Sequence, residues 1–141
     1  MEKKQRTLNN KGFSLIELIV VIAIMAILVG VLAPQFIKYV ESSRQSTDIQ
    51  NAAAIRSAVE VGVANGDITG NVTVAIDTNK IKVTGATAGL TAAGLGDEIA
   101  CKSTGWTNGT IGVYDVSSYK WTATPNTNAN APSRDISSAF K

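Results

Sequence analysis

The stretch KGFSLIELIVVIAIMAILVGVLAP, residues 11–34, decides how the rest of the chain is read. From Leu18 to Ala33 every residue is apolar or glycine, and one carboxylate, Glu17, stands at the edge of that run. Phe13 to Ala33 covers 21 residues, and a helix that spans a bilayer needs about 20. Upstream, Lys3, Lys4, Arg6 and Lys11 against Glu2 give the first twelve residues a charge of +3. This basic flank keeps an N-terminus cytoplasmic and sends the following chain outward. A cleavable secretory signal fits poorly. Its only small-residue site, Val31-Leu32-Ala33, precedes Pro34, whose fixed ring and missing N–H make a poor scissile partner.

A plain anchor leaves Glu17 unexplained. A carboxylate at a bilayer centre costs roughly 2.5–3.5 kcal/mol on insertion scales, and no lysine or arginine follows Glu17 for twenty residues. A cut between Gly12 and Phe13 would supply a partner. The new α-amine of Phe13 is cationic and lies four residues before Glu17, on the same helix face. It can meet its own carboxylate or that of a neighbouring chain. The same cut removes the basic leader.

With those residues in view, residues 11–36 closely resemble the class III leader and N-terminal helix of type IV pilins. Gly12 stands before the cut, Phe13 after it, Glu17 at the fifth mature position and Pro34 at the twenty-second. The resemblance implies that a membrane prepilin peptidase cleaves after Gly12 and N-methylates Phe13. It also implies that Glu17 and Phe13 set register between subunits, and that Gly30 and Pro34 mark a stretch of helix that extends on assembly. Methylation leaves the amine charged, so the pairing argument stands. The implied function is a structural subunit polymerising into surface filaments used for adhesion, twitching motility or DNA uptake. The alternative is a pseudopilin of a type II secretion or competence apparatus. The implied partners are further copies of the chain, the prepilin peptidase, the membrane before assembly and, indirectly, an assembly platform with its motor ATPase. The implied location is the cytoplasmic membrane, single-pass with the N-terminus inside, then a surface pilus.

Beyond Pro34 helical spacing returns. Ile49, Ala52, Ile55, Val59 and Val63 share one face, with Arg44, Gln45, Asp48, Gln50, Arg56 and Glu60 assigned to the other side. Residues 41–48 (ESSRQSTD) hold no apolar residue and read as a solvated neck. Asn65-Gly66 is a stop signal. A helix from Phe13 to about Ala64 would be ~78 Å long at ~1.5 Å per residue, so one half spans the membrane and the other covers a head.

The head reads as antiparallel β-structure of three to five strands. Val72, Val74 and Ile76, then Ile81 and Val83, alternate around a turn at residues 77–80 and predict a hairpin. Residues 84–97 are small and Gly-rich and predict a loop with at most a helical turn. Residues 99–103 predict a strand, and residues 110–114 and 119–124 a second hairpin. The fold class is α+β, a long helix laid on a small antiparallel sheet, and this agrees with a pilin head. Trp106, Tyr114, Tyr119 and Trp121 are assigned to core and cross-strand packing rather than to a glycan-binding face. Residues 125–141 predict an extended, partly mobile tail. The organisation is therefore leader 1–12, assembly helix 13–34, amphipathic helix 35–65, head 66–124 and polar tail 125–141.

The exclusions are chemical. The chain has no histidine, one cysteine and a net charge of +2. His-dependent catalysis, His-liganded metals and an intrachain disulfide are ruled out, and with −1 left beyond the leader there is no basic field for nucleic acid. Cys101 is read as a small buried hydrophobe. Asp135, the only carboxylate in the tail, argues against a calcium cage. No cofactor and no enzymatic activity are expected.

Overall fold

The computed structural model describes residues 12–129 and 131–141. The leader charges Glu2, Lys3, Lys4, Arg6 and Lys11 lie outside the described residues. The chain divides into two compact units, residues 1–38 and 39–141. One helix, α1 (Leu15–Ala64), runs through both and contains Pro34 without interruption. It starts at Leu15 rather than Phe13, for a reason given below.

In the first unit α1 is apolar all round from Leu18 to Ala33, and its side chains are exposed. An 18-residue window reaches a mean hydropathy of 3.1. By length and composition this is a single segment able to cross a membrane.

In the second unit α1 becomes amphipathic. Ala52, Ile55, Ala58, Val59 and Gly62 are buried, with Ile49 and Val63 packed at the margin. This is the face read from the sequence. It lies in one core with a five-stranded antiparallel sheet of order β3-β2-β1-β4-β5. The strands are β1 (Val72–Asp77), β2 (Lys80–Thr84), β3 (Glu98–Ala100), β4 (Gly109–Asp115) and β5 (Lys120–Ala123). A short helix α2 (Thr87–Ala92) occupies the Gly-rich stretch.

Both expected hairpins form. Asp77 pairs with Lys80 across Thr78 and Asn79, whose φ angles are 48° and 61°. Left-handed backbone at both central residues follows the strand twist of a tight hairpin. The β1–β4 register slips between Val74 and Ala75. Gly112 faces Val74 and Thr110 faces Ala75, so Ile111 is the extra residue of a bulge. The bulge lets Ile111 and Gly112 both turn inward, which strict alternation forbids.

Three expectations need correcting here. The strand expected over 99–103 stops at Ala100: the Cys101 amide still reaches Asn79 O, but the Lys102 and Ser103 amides turn to a carboxylate on α1. The tail is extended in part but not only an extended polar segment. It forms β6 (Thr127–Asn128), β7 (Ala131–Asp135) and a 3-10 helix (Ile136–Phe140). Ile136 and Phe140 are in the core, Phe140 only 1% exposed. Trp121 lies 4.8 Å from Phe140 and 5.1 Å from Tyr114, ring centre to ring centre. Trp106 and Tyr114 are buried as expected, whereas Tyr119, on the β4–β5 turn, is 71% exposed and not a core residue.

Candidate functional site

The first site is the start of α1. Gly12, Phe13 and Ser14 precede the helix in irregular backbone, and Phe13 is 89% exposed. Ser14 is the N-cap: its carbonyl accepts from Leu18 N at 3.2 Å, the first turn of the helix. Its own N–H donates to Glu17 Oε2 at 2.8 Å. Ser14-Leu15-Ile16-Glu17 has the spacing of a capping box, in which the third helical residue reaches back to the N-cap amide. This explains why the helix begins at Leu15. It also gives Glu17 a partner that the apolar run alone did not offer: the carboxylate sits at the positive end of the helix dipole and accepts a backbone hydrogen bond. Ser14, x, x, Glu17 was legible in the sequence, but the apolar run drew attention instead.

A shallow apolar groove lined by Phe13, Ile16, Val20 and Val21 surrounds Glu17. Gly30 is exposed, and a Cβ added there meets nothing within 4 Å. Pro34 lies inside the continuous helix. The structure brings Phe13 and Glu17 to one helix end; Gly30 and Pro34 are a separate locality.

The second site was missed. Residues 41–48 are not a solvated neck: Asp48 and Gln45 are both 0% exposed. Asp48 accepts from Lys102 N (2.6 Å), Ser103 N (3.0 Å) and Trp106 Nε1 (2.9 Å). Ser103 Oγ donates to Glu41 Oε1 at 2.6 Å, and Asn128 Nδ2 donates to Ser103 Oγ at 3.0 Å. Arg134 donates to Ser42 Oγ at 3.0 Å. One polar helix face thus clasps the loop after β3 and the tail. Cys101 lies beside it, buried, and its thiol is pushed up to about 12 by burial and then by the Asp48 carboxylate. At neutral pH it is a protonated, inert thiol.

Two to three turns further along the helix, Glu60 Oε1 accepts from Arg56 Nε (2.9 Å) and Trp121 Nε1 (3.0 Å), while Arg56 Nη1 donates to Lys141 O (2.6 Å). Arg56 and Glu60, assigned to the solvated side, also tie the tail and β5 to α1. Lys80 and then Lys82 of β2 hold the exposed Glu98 carboxyl of β3 below the usual carboxylate range. Asn71, part of an Asn-Val-Thr pattern, accepts from Val116 N. Among the described residues no cluster of three or more His, Cys, Asp or Glu is placed to hold a metal.

A family model described as a prokaryotic N-terminal methylation motif matches residues 7–33. A relative from Clostridium perfringens, called prepilin peptidase-dependent protein A, is 41% identical over 91 residues, 64% of this chain and 61% of that protein. The type IV narrow pilus major component PilA5 of Thermus thermophilus is 43% identical over 36% of this chain and 44% of its own length. The type IV major pilin protein PilA of Myxococcus xanthus is 45% identical over 36% of this chain and 23% of its own. The chain therefore spans less than two thirds of the relatives it matches. No solved structure matches it. The methylation motif over the capped helix start, the pilin and fimbrial relatives, and a long helix packed on a small antiparallel sheet agree: the chain is similar to type IV pilins, fimbrial proteins and prepilin peptidase-dependent proteins.

Proposed function

We infer that the chain is the structural subunit of a type IV pilus, made as a membrane-held precursor, cut between Gly12 and Phe13, N-methylated on Phe13, and polymerised through the N-terminal half of α1. The observation that carries this reading is the apolar, exposed first unit of α1 with Glu17 at its start. A membrane covers that surface before assembly, and like helices cover it afterwards. Lipid is as apolar as the helix, so association there rests on packing and polar pairs rather than on water exclusion. The Glu17 carboxylate and a Phe13 ammonium of a neighbouring chain form such a pair and fix axial offset. Gly30 and Pro34 act as the weak points at which the helix extends: proline removes one backbone hydrogen bond, and glycine four residues earlier lowers the cost of unwinding. The precursor sits single-pass with its N-terminus inside; the assembled subunit is extracellular. Prepilin peptidase, an assembly platform and a cytoplasmic motor ATPase are its partners in this scheme, and the chain makes and breaks no bonds itself.

The test is mass spectrometry of sheared surface material together with antibody labelling in electron microscopy. A chain beginning at methylated Phe13 in long labelled fibres is expected. A chain still beginning at Met1, or one dispersed when the export machinery is intact, overturns the reading. Glu17→Ala is expected to be cut and inserted but to assemble poorly. Gly30→Ala with Pro34→Ala is expected to give a stiffer, less extensible fibre by force spectroscopy.

A further inference from the structure

Beside the β4–β5 turn the head carries a cleft of about 370 Å³ that filament assembly does not use. Arg56 and Glu60 of α1, Tyr119 of the turn, Lys120 and Trp121 of β5 and Phe140 of the tail line it. Its volume is at the small end of ligand pockets, roughly 300–1,000 Å³. We propose that this cleft binds an acidic sugar, a uronic acid residue either free or within a saccharide chain. The proposal goes beyond the subunit reading and does not rest on it.

One part of the cleft is fixed. Trp121 lies against Tyr114 and Phe140, and its indole N–H donates to Glu60 Oε1 at 3.0 Å. Arg56 donates through Nε to the same oxygen and through Nη1 to Ala139 O and Lys141 O. The other part is free. Among the described residues Arg56 Nη2 and Lys120 Nζ donate no hydrogen bond, Glu60 Oε2 accepts none, and Lys120 has no ion pair. Arg56 and Glu60 are both part-exposed, so these atoms face a cleft open to a ligand. The unused donors and the unused acceptor select the ligand. A bare anion such as sulfate answers the cations but brings Glu60 Oε2 no donor. A neutral sugar serves Oε2 through its hydroxyls but leaves the Lys120 charge unanswered. A uronic acid has a carboxylate for Arg56 and Lys120, hydroxyls for Glu60, and a C–H face for a ring.

That ring is Tyr119. Of Trp106, Tyr114, Tyr119 and Trp121, it alone is exposed. Its φ of 54° is left-handed, a conformation strained for a bulky residue and easier for Asn or Gly. The turn is tied down by Asp115, which accepts from Ser117 N, Ser117 Oγ and Ser118 Oγ. An aromatic ring held out on strained backbone at the mouth of a cleft is a feature of ligand clamps.

The experiment titrates the full chain, in detergent micelles, with galacturonic acid, tetragalacturonate, glucose and sulfate. The Trp121 indole N–H signal reports binding by NMR, and that of Trp106, bonded to Asp48, is the internal control. Galacturonic acid is expected to shift Trp121 saturably and to leave Trp106 unmoved. Glucose and sulfate should each bind about tenfold more weakly, the scale of one lost charge-assisted bond. Tighter binding of tetragalacturonate assigns the cleft to a saccharide chain, and equal binding assigns it to a single residue. Tyr119→Asn removes the ring and suits the left-handed backbone. It should weaken binding about fivefold to tenfold with a melting temperature equal to or above wild type. A ring serving the fold alone would give the reverse. Lys120→Met should bring galacturonic acid down to the level of glucose. No saturable shift with galacturonic acid, equal binding of sulfate or glucose, or wild-type binding by Tyr119→Asn overturns the proposal. None of these outcomes bears on whether the chain forms fibres, so the two readings fail separately.

Discussion

Asp48 and Trp106, 58 positions apart in sequence, are joined by a 2.9 Å hydrogen bond from the indole N–H to Oδ2, inside a site with no solvent access to the carboxylate. Two backbone amides, Lys102 N and Ser103 N, complete the shell. A buried carboxylate with three donors is tolerated because each oxygen is bonded. Removing it strands the donors, each at about 1–3 kcal/mol if left unpaired. Asp48→Ala is therefore expected to destabilise the head by roughly 3 kcal/mol or more. It should also free the loop that shields Cys101. In the wild type the thiol, with its pKa pushed up to about 12, should resist thiol reagents at pH 8. In Asp48→Ala it should label readily before global unfolding. Equal labelling rates in the two proteins would show that the clasp does not shield the cysteine.

Gln45 lies one turn before Asp48 and is the opposite case. Its Oε1 and Nε2 are buried with no hydrogen-bond partner among the described residues. An amide in that state costs roughly 1–3 kcal/mol. Gln45→Met keeps the unbranched shape and deletes both polar atoms. It is expected to raise the melting temperature of the head, by about 4–8 °C per kcal/mol gained for a unit of this size. Thermal denaturation followed by tryptophan fluorescence measures it, and a lower melting temperature would mean the amide has a bonded partner in solution.

These two residues show where reading from sequence stops. The apolar helix, the amphipathic face from Ile49 to Val63 and both hairpins were legible because periodicity is local and burial follows it. Residues 41–48 misled because their partners come from a loop more than fifty positions away: polar residues read as solvated unless the donors that bury them are known. The same holds for the tail. Its Asn, Ser and Ala content masks Ile136 and Phe140, spaced four apart, and nothing local says that Gly112 leaves room for the ring. At the N-terminus the apolar run and the lone carboxylate at its edge were legible; the Ser14 cap was present in the letters but hidden by the stronger apolar signal.

The room at Gly112 is itself testable. A Cβ built there would lie 2.7 Å from Phe140 Cγ, with two more ring atoms at 2.9 and 3.0 Å. The ring is held on its other side by Trp121, so it cannot give way cheaply. Gly112→Ala is expected to cost about 1–3 kcal/mol through overpacking, and Phe140→Ala about 3–5 kcal/mol through the cavity it leaves. In the double variant the added methyl meets no ring, so the combined loss should be smaller than the sum. Strict additivity in chemical denaturation would show that the tail does not dock on β4 as described.

Asp135 gives the tail a pH dependence. Its burial alone would raise the carboxyl pKa, but bonds from Asn126 N, Ser137 Oγ and Ser137 N, with Lys141 Nζ nearby, outweigh this and hold it below the ordinary value. A carboxyl depressed in the folded state binds fewer protons there than in the unfolded chain. Its stabilising contribution is then full above the unfolded value, about 3.9, and is lost as pH falls through the folded one. Asp135→Asn keeps an acceptor for Asn126 N and Ser137 N but loses charge and one oxygen. It should cost about 1–2 kcal/mol at pH 7, and the difference from wild type should shrink as pH falls below about 4. Paired denaturation curves at pH 7 and pH 3 measure this. A gap that stays constant would mean that the Asp135 charge contributes nothing, and that its role is carried by geometry alone.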